Sequence, residues 1–244
     1  RMPEGEVPSA KALLVNSTSI DLLTKGNYSH YEFLGAVENF FTKCAPAVFM
    51  GWSNLNFDRR MFHFNFFKGN RYPYATHSSP NSEHDGLHIA RAAQTLNSET
   101  LKTELTEAGN PSLALESLSR MQGFDTSASH TAYVDAQNSL KVLRIIKDKH
   151  KENWDTFLKT STKTSVETFL KNEGIYSIFE NVKGRNMMYL TCTLHPNHCF
   201  HPSYASWGYV WDLRRDPEPL LNLTVNQLRD ILKKYSPKAL RVLK

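Results

Sequence analysis

The sequence predicts an α/β domain followed by a smaller, β-rich domain. A short apolar run, Ala47–Trp52, leads through a turn into a helical pattern, which is typical of a strand that precedes a helix in an α/β sheet. Helical patterns lie on both sides of this run. Beyond about residue 172 the pattern changes to strands, which indicates a second domain.

The amino-terminal part predicts an extended segment and then a helix. Residues 1–11 are polar and contain prolines and glycine, so we expect an extended entry segment, with order beginning at Leu13–Val15. The stretch His30–Lys43 predicts a helix because its apolar residues recur at helical spacing. These residues are Phe33, Leu34, Val37, Phe40 and Phe41.

The next elements surround the apolar run. Asp58 is expected to cap a helix that continues to about Phe67. Tyr72–His84 is rich in proline, serine and asparagine and predicts a loop. Asp85–Leu96 predicts a helix with one apolar face.

Two further helices complete the predicted first domain. Ser98–Pro111 is mostly polar and is not assigned to an element. Ser112–Gln122 predicts a helix that Gly123 stops, because glycine readily adopts the conformation that ends helices. His130–His150 predicts a long helix.

The carboxyl-terminal part changes character. Helices are predicted to continue to about Asn172, so the domain boundary is expected near residues 150–172. Three strands follow, at Ile178–Val182, Met188–His195 and Trp207–Leu213, and then a helix at Val225–Lys234.

Composition bounds the class of protein. The 244 residues are 40% hydrophobic and 22% charged, which indicates a packed globular protein. The three cysteines, Cys44, Cys192 and Cys199, are an odd number, which argues against a disulfide framework and favours a cytoplasmic location. No apolar run approaches the roughly 20 residues of a membrane span, so no membrane partner is expected.

The net charge of +5 favours a polyanionic partner. Basic residues crowd the end of one predicted helix and continue beyond it. They are Lys141, Arg144, Lys147, Lys149, His150, Lys151, Lys159, Lys163 and Lys171. Two interpretations stay open: a solvated helix face, or a groove wall that follows the phosphates of a nucleic acid.

Two aspartates and a histidine lie at the ends of predicted elements. Asp58 follows the apolar strand, and His130 precedes Asp135 by five residues at the start of a helix. Each has an ordinary interpretation: a helix cap for Asp58, favourable placement in the helix dipole for Asp135, a surface histidine for His130. Together they fit a metal-dependent phosphodiesterase, in which carboxylates hold hard cations and a histidine takes a proton from water.

The pair of motifs resembles the second and third motifs of the DEDDh 3′→5′ exonucleases, and the surrounding sequence resembles the exodeoxyribonuclease I family over nearly the whole chain. The stretches that carry the resemblance are Ala12–Ser19, Phe57–Asp58, Asp85–Arg91, Pro111–Leu118, His130–Asp135 and Leu194–Pro196.

The resemblance implies the fold and its division. Residues 1–150 would be an RNase H-like exonuclease domain that lacks its first strands. Residues 151–172 would be a helical linker, and residues 173–244 an incomplete, β-rich SH3-like domain.

The resemblance also implies the chemistry. Asp58 and Asp135 would hold two Mg²⁺ ions, with Mn²⁺ able to substitute, and His130 would be the general base in phosphodiester hydrolysis. Arg91 would contact the nucleotide strand. With Asn54 and Trp52 it forms the predicted nucleic-acid-binding set, since aromatic side chains stack on bases.

The implied activity is 3′→5′ degradation of single-stranded DNA to mononucleotides in DNA repair or recombination. The implied partners are single-stranded DNA and the acidic tail of a single-stranded-DNA-binding protein. A monomer is expected.

One expected motif is not found. The family's first motif, Asp-x-Glu on the opening strand, has no counterpart before Ala47, and we expect it upstream of Arg1. The motif would bridge both metal ions. A polypeptide of only these residues is therefore expected to bind metal weakly and to be inactive or nearly so.

Alternatives remain open at this stage. An RNA-trimming DEDDh nuclease would share both aspartates and the histidine, although residues 173–244 argue against it. A non-catalytic module that binds single-stranded nucleic acid is the other. The run of cysteines and histidines from Cys192 to His201 has a spacing that could hold zinc, but it lacks a distant second pair of ligands.

Overall fold

The computed structural model describes residue 2 and residues 5–126, 131–194 and 209–234, with side chains up to residue 231. The chain divides into two compact units. The first comprises residues 1–169 and 179–187, and the second comprises residues 170–178 and 188–244. The predicted boundaries at residues 150 and 172 stay predictions.

Three helices precede the first strand: α1 (Ala10–Val15), α2 (Ile20–Thr24) and α3 (His30–Cys44). The predicted helix at His30–Lys43 is confirmed, and a capping box between Ser29 and Glu32 fixes its start. The prediction of an extended segment over residues 1–11 is wrong at its end, because α1 begins at Ala10.

The first sheet has two parallel strands. Strand β1 (Val48–Gly51) confirms the predicted apolar strand and leads to helix α4 (Asp58–Lys68). Strand β2 (Ser82–Asp85) pairs with β1 in parallel, and helix α5 (Gly86–Leu96) follows it directly. The loop predicted for Tyr72–His84 is therefore wrong over its last three residues. The polar sequence of β2 hid a strand that exists because β1 offers it backbone hydrogen bonds.

Helices α6 (Leu115–Met121) and α7 (Ala132–Lys149) complete the predicted first domain. Helix α6 begins three residues later than predicted, and Gly123 follows it with a positive φ of 75°, as the predicted stop requires.

The remaining elements are mostly those predicted. They are α8 (Lys151–Lys159), α9 (Lys163–Asn172), β3 (Tyr176–Val182), β4 (Arg185–Thr193), β5 (Val210–Asp212), α10 (Glu218–Leu221) and α11 (Val225–Lys234). The second sheet has the order β3-β4-β5. Lys183 and Gly184 connect β3 to β4, and both have the positive φ typical of a two-residue hairpin turn. Helix α10 was not predicted.

Two apolar clusters lie in the first unit. The larger joins α5, α6 and α7 with the segments between them, through Ile89, Ala90, Ala93, Leu101, Leu113, Leu118, Val142, Leu143 and Ile146. The smaller joins α3 to α4 through Leu34, Phe41 and Phe66. The larger cluster holds α5 and α7 together, and α7 carries the candidate site residue Asp135 in its first turn.

A search of the described helices for one long and apolar enough to cross a membrane finds none. Cys44 and Cys192 are free thiols.

Candidate active-site cleft

A cleft of about 1420 Å³ opens where β1 ends and α7 begins. Asp58, at the start of α4, and Asp135, in the first turn of α7, both line it. Asn54 and Trp52 line it as well. The structure thus brings four of the predicted site residues to one cavity, although up to 83 residues separate them in sequence.

Asp58 is the first residue of α4 rather than its cap. Phe57 occupies the cap position and its side chain makes no capping hydrogen bond, so the prediction that Asp58 caps the helix is wrong. Asp58 is exposed as a residue, but partial removal of its carboxyl group from water raises the pKa of that carboxyl above its ordinary value of 3.8. Its own backbone amide lowers the pKa, and the nearby charge of Asp85 raises it further.

A tight turn connects β1 to α4. Ser53 has a φ of 59°, and the Asn54 carbonyl accepts a 3.0 Å hydrogen bond from the Arg59 amide. The backbone at Gly51 passes so close to Asn54 that a β-carbon there would lie 2.8 Å from the Asn54 β-carbon. The Asn54 side chain is buried, and its Oδ1 accepts no hydrogen bond from the described residues. The turn therefore places Asn54 and Asp58 with little freedom.

Asp85 is a site residue whose role sequence reasoning missed. It was expected within the helix that carries Arg91, but it is the last residue of β2 and the N-cap of α5. Its side chain is fully buried, and its Oδ1 accepts hydrogen bonds from the backbone amides of Leu87, at 2.9 Å, and Ser53, at 2.8 Å. The signal was an aspartate just before a helical pattern. Its second bond depends on the pairing of β1 with β2.

Glu83, two residues earlier on β2, also lines the cleft and was not predicted. It is buried, accepts a hydrogen bond from the Thr76 hydroxyl and lies 3.6 Å from the Arg59 guanidinium. His77 lies 3.9 Å from the same carboxylate. Unlike Asp85, Glu83 therefore has a cationic neighbour, Arg59.

The catalytic histidine predicted from sequence, His130, lies outside the described residues. The neighbouring Asp135 is described and half-buried, and its backbone carbonyl accepts a 2.8 Å hydrogen bond from the Ser139 hydroxyl one turn later. Most of the possible zinc-binding run, from His195 to His201, also lies outside the described residues.

The basic residues at the end of α7 have two different roles. Arg144 and Lys147 line the cleft, as a groove wall would require. Lys149 instead donates 2.8 Å hydrogen bonds to the carbonyls of Glu99 and Thr100, and His150 is buried against the Thr100 hydroxyl. Only the first pair is placed to meet a ligand in the cleft.

Arg91 lies apart from the aspartates. It lines a second pocket of about 310 Å³ together with Ser53, Asn181 and Asn186. Trp52 lines both pockets. Of the three residues predicted to bind nucleic acid, Asn54 lines only the cleft and Arg91 only the second pocket. The structure thus places Asn54 with the aspartates and Arg91 beside the turn that precedes them.

The oxygen donors of the cleft match the ligand preference of Mg²⁺ in kind but are few in number. Carboxylates of Asp58 and Asp135, with the unpaired Oδ1 of Asn54, are the hard donors that this cation prefers. Within the described ranges, however, no three histidine, cysteine, aspartate or glutamate side chains are grouped as a metal site requires. The described residues of the cleft therefore supply some, but not all, of the ligands that a divalent-cation site needs.

Comparison with known proteins gives a consistent result. No protein-family model matches the chain. It is 25% identical over 225 residues to exodeoxyribonuclease I of Haemophilus influenzae, an alignment that covers 91% of this chain and 47% of the relative. It is 25% identical over 238 residues to exodeoxyribonuclease I of Escherichia coli, covering 93% of this chain and 48% of the relative.

The fold agrees with these relatives. The structure of E. coli exonuclease I in complex with a dA16 oligonucleotide superposes with a TM-score of 0.70 at 20% identity, covering 92% of this chain and 48% of that one. The chain spans about half the length of the curated relatives it matches. The resemblance predicted from the sequence is therefore confirmed: over about nine-tenths of its length, the chain is similar to exodeoxyribonuclease I in sequence and to exonuclease I in α/β fold.

Proposed function

We propose that this protein acts as a 3′→5′ exonuclease that degrades single-stranded DNA to 5′-mononucleotides. The observation that carries the proposal is the convergence of Asp58 and Asp135 on one cleft. The relatives that this chain resembles in sequence are named exodeoxyribonuclease I, and a similar solved structure holds a dA16 oligonucleotide.

The division of the protein follows from the same proposal. Residues 1–150 are an RNase H-like domain, residues 151–172 a helical linker, and residues 173–244 an SH3-like domain. The order β3-β4-β5 of the second sheet and its tight hairpin turn support a β-rich second domain.

The predicted site residues have distinct tasks in the proposed reaction. Asp58 and Asp135 would hold divalent cations, taken to be Mg²⁺ or Mn²⁺, and the neighbouring Asn54 would orient the strand. A bound cation would neutralise charge on the scissile phosphate. His130 takes a proton from the attacking water, and Arg144 and Lys147 attract the phosphates along the cleft wall.

The fully ionised form of Asp58 is required for cation binding. A nearby cation favours the charged form of this carboxyl. Because the carboxyl has a raised pKa, protons compete with the cation at a higher pH than they would at an ordinary aspartate. Arg91 and Trp52 meet the strand further along, at the second pocket.

The wider setting belongs to the proposal as well. DNA repair or recombination in the cytoplasm is the expected context, and a monomer the expected state. A solved complex of exonuclease I with SSB-Ct supports the tail of a single-stranded-DNA-binding protein as a partner. A zinc-bound complex of E. coli exonuclease I with single-stranded DNA supports dependence on a divalent metal.

We expect the 244-residue polypeptide, tested by itself, to bind divalent cations weakly and to be inactive or nearly so. Asp58 and Asp135 are two of the four carboxylates that the DEDDh resemblance implies, and two carboxylates offset only half of the charge of two divalent ions.

The test is a time course on a 5′-labelled single-stranded DNA oligonucleotide with Mg²⁺. It is run on this polypeptide and on any longer natural protein that contains it. Asp58→Ala is compared with a matched control, Asp148→Ala, because Asp148 is exposed on α7 and does not line the cleft.

From a longer natural protein we expect a ladder that shortens from the 3′ end, is lost with Asp58→Ala and persists with Asp148→Ala, whereas the 244-residue polypeptide is expected to give little or no ladder. Faster cleavage of the matching RNA would favour an RNA-trimming nuclease. Tight DNA binding without cleavage by any preparation would favour a non-catalytic binding module, and both results would contradict the proposal.

A further inference from the structure

A fully buried carboxylate lies beside Asp58. Asp85 is 0% exposed, and it ends β2 directly opposite Gly51, the last residue of β1. Its charge acts on Asp58, whose carboxyl it makes harder to ionise. A charged group is removed from water at considerable cost, so its environment must compensate.

The first oxygen of this carboxylate holds backbone. Oδ1 accepts a hydrogen bond from the backbone amide of Leu87, and through this bond Asp85 caps α5. It accepts a second hydrogen bond from the backbone amide of Ser53, which lies in the turn after β1. Ser53 has the left-handed φ of 59°, a conformation that few residues other than glycine adopt without support. The bond from Asp85 supplies that support, and the turn that it holds leads directly to Asn54 and Asp58.

The second oxygen is left unpaired. Oδ2 of Asp85 is buried and accepts no hydrogen bond, and the same holds for Oδ1 of Asn54, in the part of the chain that the structure describes. The two atoms cannot satisfy each other, because both are acceptors. No described residue forms an ion pair with Asp85, whereas Glu83 on the same strand has Arg59 nearby. The side chain that holds the turn leading to Asn54 and Asp58 therefore has a buried oxygen to which no described group donates a hydrogen bond.

We propose that Asp85 is a positioning residue that strengthens divalent-cation binding at Asp58. It fixes the turn that carries Asn54 and Asp58, and its charge favours a cation at the neighbouring carboxylate. This inference rests on the proposed role of Asp58 as a metal ligand. It goes beyond that role because Asp85 acts through Asp58 rather than by touching substrate.

The competing explanation is that Asp85 only caps α5. Two substitutions separate the roles. Asp85→Asn keeps an acceptor oxygen for both amides and removes the charge. Asp85→Ser keeps a good cap but is too short to reach Ser53, and it also removes the charge. Glu104→Gln is the control, because it removes the same charge from an exposed ion pair with Arg120.

The measurement is a titration with Mn²⁺ alone, followed by paramagnetic broadening of backbone amide signals in NMR spectra. In the wild-type protein, signals of residues 53–58 are expected to broaden first, and Asp58→Ala is expected to abolish this effect. Asp85→Asn is expected to weaken Mn²⁺ binding by about fivefold or more, since a full charge near the ion is lost. Asp85→Ser is expected to weaken it further, and Glu104→Gln to leave it unchanged.

The turn gives a readout that needs no metal. Amide hydrogen exchange at Ser53 reports on its hydrogen bond to Asp85, and Asp85→Ser is expected to speed this exchange while Asp85→Asn retains the protection. If Asp85 only capped α5, exchange at Ser53 would be the same in both variants and in the wild type. If Asp85→Asn does not fold, Asp85→Ser carries the Mn²⁺ test, because it also removes the charge while it retains a cap.

The possible failures are distinguishable. Unchanged Mn²⁺ affinity in folded Asp85→Asn and Asp85→Ser would overturn the inference and leave Asp58 as a ligand. Wild-type protein that shows no broadening near Asp58 would overturn both the inference and the proposed role of Asp58.

Discussion

The indole N–H of Trp52 donates a 3.0 Å hydrogen bond to the backbone carbonyl of Leu113, which lies 61 residues later in the chain. This bond joins the turn after β1 to the segment before α6. The indole also packs against the larger apolar cluster. Trp52 is therefore a fixed wall between the two pockets, and its ring is held in place before any ligand arrives.

We expect Trp52→Phe to lower the free energy of unfolding by about 1–3 kcal/mol, because phenylalanine keeps most of the packing but leaves the Leu113 carbonyl without its donor. Urea denaturation followed by circular dichroism measures the change. A loss within about 0.5 kcal/mol would show that water replaces the indole at little cost.

The core between α5 and α7 supports the cleft, and its contribution can be measured separately. Ile146 is 0% exposed on the inner face of α7. We expect Ile146→Ala to cost about 2–5 kcal/mol through lost burial and the cavity that remains. Leu140→Ala on the same helix is the control, since Leu140 is 50% exposed. Equal losses at the two positions, measured by urea denaturation, would contradict the assignment of Ile146 to the core.

The helices could be predicted because their patterns are local. The apolar residues of α3 recur at helical spacing, and Ser29 with Glu32 forms a capping box within four residues. Strand β2 could not be found in this way. Its sequence Ser-Glu-His-Asp has neither apolar alternation nor β-branched residues, and it is a strand only because β1 lies beside it.

In the candidate site, too, residues within local motifs could be predicted from the sequence, whereas contacts between distant segments could not. Asp58 and Asp135 were identified from motifs, and the structure brings them to one cleft. The bond from Ser53 to Asp85 crosses 32 residues and exists only in the parallel register that places Gly51 opposite Asp85. No local pattern carries that information, so the sequence indicated only that Asp85 lies at the start of a helix.

The raised pKa of Asp58 predicts how stability depends on pH. Its carboxyl has an ordinary pKa of 3.8 in the unfolded chain, and the folded value is higher, chiefly through burial. Between these two values the folded state binds more protons, so the free energy of unfolding falls as pH rises through the window. The penalty is absent below 3.8 and complete above the folded pKa.

We therefore expect Asp58→Asn to raise the melting temperature at pH 7, and the gain to disappear as pH falls towards 3.8. Thermal unfolding of both proteins in parallel over this pH range tests the prediction, because the titration of all other groups cancels in the difference. Added Mg²⁺ should narrow the gap by stabilising only the wild type. A gain that does not vary with pH would contradict the assignment.

In the second unit a carboxyl pKa is lowered rather than raised, so stability is expected to depend on pH in the opposite direction. Arg214 donates two hydrogen bonds to Asp212, from Nε at 2.8 Å and from an Nη at 2.7 Å, and these bonds lower the pKa of the Asp212 carboxyl to about 2. The guanidinium also lies over the Tyr189 ring, 4.8 Å from its centroid, which keeps it in position. We expect a ¹³C NMR titration to give a midpoint of about 2 for Asp212, and Arg214→Gln to return it towards 3.8.

Arg215→Gln is the control for this ion pair, because the Arg215 side chain acts on the Asp212 carboxylate only through a weaker charge attraction, and the substitution keeps the backbone hydrogen bond from Arg215 to the Asp212 carbonyl. It should leave the midpoint close to 2. Since the folded pKa lies below the unfolded value, the pair stabilises the fold above pH 3.8, and this contribution is lost as pH falls through about 2. A wild-type midpoint near 3.8 would mean that the two hydrogen bonds do not persist in solution, because an ionised partner at those distances must make the carboxylate harder to protonate.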